Sequence, residues 1–97
     1  MIYKVLDREN ITVSSSVKQL TSSKITTDVV YVRVQCQVAS IRVTEDGTNP
    51  NPSTPVGEIY QPEDIFEVWG SDACKDFKMI REGTSDANVE VTYLGQG

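Results

Sequence analysis

The sequence contains no histidine. That removes the commonest general base and the commonest metal ligand, and it leaves neither cysteine with the partner that activates a thiol nucleophile. Cysteine is scarce as well. Cys36 and Cys74, the second in a polar turn, are the whole complement, too few for a disulfide framework, although a single bridge between them stays open. Positive charge is thin: nine Lys and Arg against fourteen Asp and Glu leave a net charge of −5. The nine are scattered, which disfavours nucleic acid as a direct ligand, because neutralising phosphates needs clustered basic residues. No apolar run approaches the length that spans a bilayer. Met1-Ile2-Tyr3-Lys4 leads into charges rather than an apolar signal core, so the expectation is a protein made in the cytosol, without a secretion signal or membrane contact. Leu and Ala are few while Val, Thr and Ser abound, which favours strands over helices. No helix of three turns and no convincing internal repeat is legible. The 97 residues are 38% hydrophobic, enough for one domain with a thin core or with apolar surface covered by a partner.

The most informative stretch is 29–57. Val30, Val32, Val34, Cys36 and Val38 alternate with Tyr31, Arg33, Gln35 and Gln37, the period of two that a strand with one buried face requires. The spacing predicts a strand over 29–38 and makes Cys36 a small core hydrophobe. The apolar phase then slips, because Ile41 and Val43 are odd-numbered. A bulge or tight corner at Ala39-Ser40 accounts for this, since one inserted residue flips every later side chain. The chain beyond is a second strand over 41–44, or the same strand bent into a second sheet. Asp46-Gly47 predicts a turn with glycine at positive φ, and Pro50, Pro52 and Pro55 bar a central strand from the loop 45–57.

Later strands are predicted at 56–60, 65–69, 77–81 and around Val89, Val91 and Tyr93, with no more than a turn of helix at 72–76. In 65–69, Phe66 and Val68 share one face and Ile65, Glu67 and Trp69 the other. Residues 1–28 read as a Ser/Thr-rich N-terminal arm with weak strand candidates at 11–13 and 17–21. Such a composition suits a floppy tail or an extended arm that pairs with the domain's own sheet or with a neighbouring subunit. The domain proper is 29–97. Short strands divided by turns indicate an all-β fold, a small antiparallel β-sandwich or jelly-roll-like barrel with an extended N-terminal arm.

Two carboxylate groupings invite a catalytic or calcium reading: Glu45-Asp46 with Glu58, and Glu63-Asp64. Both lie in turns flanked by Gly or Pro, where such residues ordinarily serve the turn and its solvation, and neither has calcium-loop spacing. No catalytic, cofactor-binding or metal-ligating residue is expected, and no enzyme activity.

The run Ile41-Arg42-Val43-Thr44-Glu45-Asp46-Gly47-Thr48-Asn49-Pro50, followed by Val56-Gly57, resembles a pattern of small tailed-bacteriophage virion proteins, "V-R-x-T/R-x-D-G-T-x-P-T" with a Gly just after. Phe77–Arg81 resembles their "F-K-x-I-R" strand, and residues 84–93 their "T-D-A-x-L/V-x-V-x-Y" ending. The resemblance spans about 29–94. It departs at Asn51-Pro52-Ser53-Thr54-Pro55, a longer and more proline-rich loop. It implies a non-enzymatic capsid decoration or auxiliary head protein that binds and stabilises neighbouring coat subunits. Such a protein is present in many copies or as a homo-oligomer in the virion, assembled in the host cytoplasm. A tail- or fibre-associated component is the neighbouring alternative. The D-G-T-x-P turn also resembles a carbohydrate-binding β-sandwich module, for which Tyr31, Tyr60 and Trp69 are the candidate sugar platforms. Interface aromatics are the competing use of the same rings.

Overall fold

The computed structural model describes residues 3–96; Met1 and Ile2, which begin the expected arm, and Gly97 lie outside them. The described chain forms eight strands: β1 (Lys4–Val13), β2 (Lys18–Gln19), β3 (Val29–Gln37), β4 (Ile41–Thr44), β5 (Glu58–Tyr60), β6 (Ile65–Trp69), β7 (Lys78–Arg81) and β8 (Ala87–Gly95). A 3-10 turn at Ser22–Lys24 precedes β3, and a short helix, α1 (Ser71–Asp76), joins β6 to β7. The strands pair as one long hairpin wrapped on itself: β1 with β8, β2 with β7, β3 with β6 and β4 with β5, all antiparallel. Further pairing of β3 with β8 and of β4 with β7 gives two sheets, ordered β1-β8-β3-β6 and β2-β7-β4-β5. This is a jelly roll, within the all-β sandwich class that the strand spacing predicts.

The turn at Asp46-Gly47 lies at the tip of the wrapped hairpin, between β4 and β5. Gly47 has φ 86°, the left-handed value that glycine adopts without cost. The Asp46 carboxylate accepts from the Thr48 N–H at 3.1 Å. The proline loop has a small structure of its own: Asn51 and Val56 exchange two main-chain hydrogen bonds of 2.9 Å, and the Asn51 side chain accepts from the Ser53 N–H at 2.9 Å.

The predicted corner is present, one residue early. Val32, Val34 and Cys36 of β3 and Ile41 and Val43 of β4 are all fully buried, though they lie in opposite phases and in different sheets. Val38 has φ 75° and is 71% exposed, so it does not continue the buried face as its phase predicts. The backbone leaves the ladder there and throws the side chain outward. Val30 is corrected in the same way. The register of β3 against β8 shifts between Val29 and Tyr31, so Val29 is buried and Val30 only half-buried. Cys74 is also not in the expected polar turn but in α1. Its helix closes one end of the sandwich, and the thiol is buried, donating to the Val68 carbonyl at 3.4 Å. Both cysteines are free and buried, with thiols pushed up to about 11 by that burial.

Of the two partners open to the N-terminal arm, its long strand meets the domain's own sheet. Lys4–Val13 runs the length of β8 as an edge strand of the first sheet. Glu9 holds it down. Its carboxylate accepts from the Thr21 hydroxyl at 2.6 Å, from the Thr21 N–H at 3.3 Å and from the buried Tyr93 hydroxyl. Lys24 adds an ion pair to Asp7 at 2.9 Å. Only tertiary partners make a strand of so polar a segment.

On the second sheet, Arg42 clamps Glu82 with two bonds of 2.8 and 3.0 Å and donates to the Gly57 carbonyl at 3.0 Å, which fastens β4, the hairpin after β7 and the base of the loop. These hydrogen bonds hold the Glu82 carboxyl below its ordinary 4.5. A carboxyl with a depressed folded-state pKa stabilises the fold above the unfolded value and loses that contribution as pH falls through the folded value. Thermal unfolding of wild type and Glu82→Gln between pH 7 and 3 is therefore expected to show a wild-type advantage that is full above about pH 5 and fades in acid. A pH-independent difference would rule the linkage out.

Candidate docking face

The register of the first sheet orders its outer face into rows. One row runs Val5, Leu94, Tyr31, Trp69 across all four strands. The next runs Arg8, Thr92, Arg33, Glu67, and the third Asn10, Glu90, Gln35, Ile65. The phase of β8 sends Val89, Val91 and Tyr93 into the core and leaves Leu94 on the outside, where it is nonetheless only 6% exposed and stands apart from the core cluster.

The first row ends in a cluster of three rings. Tyr31 and Trp69 are directly cross-strand neighbours and stack at 4.2 Å with 13° between planes. Tyr3 stands edge-on to both, at 5.6 and 6.1 Å. The Trp69 indole N–H donates to the Glu67 carboxylate at 3.0 Å, and the side chain remains 51% exposed. Such ring pairs contribute about 0.5–1.5 kcal/mol each beyond burial, so the cluster is held in place before anything binds. Beside it, the polar rows form a shallow hollow of about 400 Å³ lined by Arg8, Arg33, Gln35, Ile65, Glu90 and Thr92. Arg8 and Glu90 approach to 3.7 Å at the surface, an exposed pair that contributes about 0–1 kcal/mol. The face thus combines a preset aromatic and aliphatic strip with balanced charge, a composition suited to another protein surface or to a sugar ring.

No known protein family, curated protein or solved structure matches this chain.

The structure separates the residues that the sequence offered as sites. Tyr31 and Trp69 come together. Tyr60 lies on the other sheet, apart from these two, and one face of its ring stacks on Phe66 at 3.9 Å. Glu45, Asp46 and Glu58 line a hollow of about 420 Å³ beside the hairpin tip. Burial and the neighbouring Glu58 raise the Glu45 carboxyl, whereas the hydrogen bonds from Thr48 lower that of Asp46. Asp64 accepts from the Gln61 N–H at 2.8 Å and so closes its own turn. Among the described residues, no three His, Cys, Asp or Glu side chains are placed to hold a metal ion, and no helix is long and apolar enough to cross a membrane. The sequence missed Tyr3, Val5 and Leu94. The one available signal was the phase of Leu94, which follows an inward Tyr93; its neighbours in the row depend on strand order.

Proposed function

We propose that the protein is a non-enzymatic structural protein of a bacteriophage virion, a head decoration protein that docks on coat subunits through the outer face of the β1-β8-β3-β6 sheet. The virion part of this reading comes from the turn and strand pattern of residues 41–50, 77–81 and 84–93. The mode of action rests on one observation: a pre-stacked aromatic cluster, half exposed, at the end of an apolar row that crosses the whole sheet. Protein interfaces concentrate Trp and Tyr at their energetic centres, and rings already fixed lose little entropy on binding. Jelly rolls recur in viral coat and lectin domains, so the architecture is compatible with this reading without choosing it. The partners are coat subunits, and the protein is present in many copies on the particle.

Removing residues 1–28 would take β1 out of one sheet and β2 out of the other, so the test is a side-chain change. Trp69→Ala is expected to keep the fold and to lower co-sedimentation affinity for purified particles by roughly 30-fold, the hot-spot range. Unchanged affinity would overturn docking through this face. Attachment to tails instead of heads would move the protein to the tail or fibre position. The stacked Tyr31–Trp69 pair beside the polar hollow also favours a second reading, a carbohydrate-binding module. Glycan binding by the isolated protein that Trp69→Ala abolishes, with no attachment to particles, would establish that one.

A further inference from the structure

The two sheets leave four strand edges, and three of them are short or defended. β2 has two residues and β5 three, too few to template a partner strand. β1 is long, but its register shifts between Val5 and Asp7, and its Asp7 and Glu9 are tied to the segment Thr21–Lys24 beside it. Bulges, charges and covering segments are the devices that keep an edge from pairing. β6 has no bulge, and Glu67 is its one charge. Ile65–Trp69 carries no proline and no glycine, and its register against β3 is unbroken.

The ladder also fixes which main-chain groups β6 presents. The Cys36 N–H donates to the Asp64 carbonyl and the Gly70 N–H to the Val30 carbonyl, each at 2.9 Å. Antiparallel pairs alternate, so Phe66 and Val68 bond to β3 while the N–H and C=O groups of Ile65, Glu67 and Trp69 point away from it. The same three side chains stand on the outer face, Ile65 59% and Trp69 51% exposed, with Glu67 between them.

We infer that the β6 edge accepts an added antiparallel strand whose outer-face residues read apolar, basic, apolar, meeting Trp69, Glu67 and Ile65 in turn. Its main chain would complete the sheet, and its central cation would face the only charge on the edge. A second copy of this chain fits poorly: pairing Ile65 with Trp69 in both directions sets two Glu67 carboxylates opposite each other, which is destabilising. With the docking reading above, the strand belongs to an extended segment of the coat subunit; the edge itself stands without that reading.

The probe is a capped peptide, Thr-Val-Thr-Lys-Thr-Val-Thr, added to the full-length protein, with a twin carrying Glu in place of Lys. Amide hydrogen exchange is read residue by residue. The Lys peptide is expected to slow exchange at Ile65, Glu67 and Trp69 by about tenfold or more and the Glu peptide to have little effect. Glu67→Lys is expected to exchange these preferences. Glu67→Pro removes an N–H that serves no bond to β3 and is expected to abolish the response while keeping the fold, since edge strands tolerate proline where the N–H faces solvent. Equal response to the two peptides, or protection elsewhere on the sheet, overturns the inference; the charge exchange decides it if the proline variant fails to fold. Peptide protection without attachment to particles keeps the edge and discards the coat subunit as its source. Attachment without peptide protection does the reverse.

Discussion

Replacing Phe77 by alanine is expected to destabilise the fold by roughly 3–5 kcal/mol. Phe77 is fully buried where α1 hands over to β7. Its ring lies 5.9 Å from that of Phe66, which in turn stacks on Tyr60. The three rings join the two sheets on the β5–β6 side of the sandwich, where the neighbouring strands are short. Truncation loses the transfer free energy of the ring and leaves a void that a rigid β frame closes only in part. A domain of this size holds roughly 5–15 kcal/mol in all, so the change removes a large fraction of it. Urea unfolding should show a lower midpoint with an unchanged slope. A loss below about 1 kcal/mol would mean that the site collapses freely and that Phe77 is not what holds this side together.

Gly95→Ala is expected to be the most damaging single-atom addition in the described chain, at or above the top of the roughly 1–3 kcal/mol range for overpacking. A Cβ at this position would lie 1.9 Å from the Asp28 carbonyl oxygen and 3.0 Å from the Leu6 side chain. The first obstacle is backbone, and the Asp28 carbonyl is already held by the Gln96 N–H at 3.2 Å, so it cannot move aside cheaply. Gly95 sits at the end of β8 between Lys4 of β1 and Val29 of β3. Relief must therefore come from prising a neighbouring strand away, seen as faster amide exchange in β1 or at the start of β3. Gly83→Ala is the control: nothing lies within 4 Å of its added Cβ, and its effect should stay within about 0.5 kcal/mol. Equal stability of the two variants would show that the close approach at Gly95 is not a constraint.

Sequence periodicity settled the fold class because the side-chain period of a strand is a local property. The alternation from Tyr31 to Gln37, the phase change before Ile41 and the common face of Ile65, Glu67 and Trp69 were each legible without any partner strand, though not which way that face points. The same local logic placed Gly47 in a left-handed turn and kept Asp46 and Asp64 as turn residues. It failed where a long-range contact overrode it: at Val30, displaced by the irregular pairing of β3 with Gly95 and Leu94, and at Cys74, buried in the short helix between β6 and β7. Along Lys4–Val13 it left the length of the strand and its partner open, and Glu9, Tyr93 and Thr21 supply the contacts that decide both.

The candidate face belongs to the other side of that division. Tyr3, Val5, Tyr31, Trp69 and Leu94 are scattered over the chain, and no spacing rule relates them. They share a surface only because the wrapped hairpin returns β8 between β1 and β3 and lays β6 on the far side of β3. By itself the sequence determined the local alternation, the turns, the corner and the exclusion of histidine-based chemistry. The tertiary structure alone decided which strands are neighbours, and therefore which side chains form rows, which rings stack and which edge stays open, because cross-strand contact depends on strand order and register between distant segments and not on any local pattern.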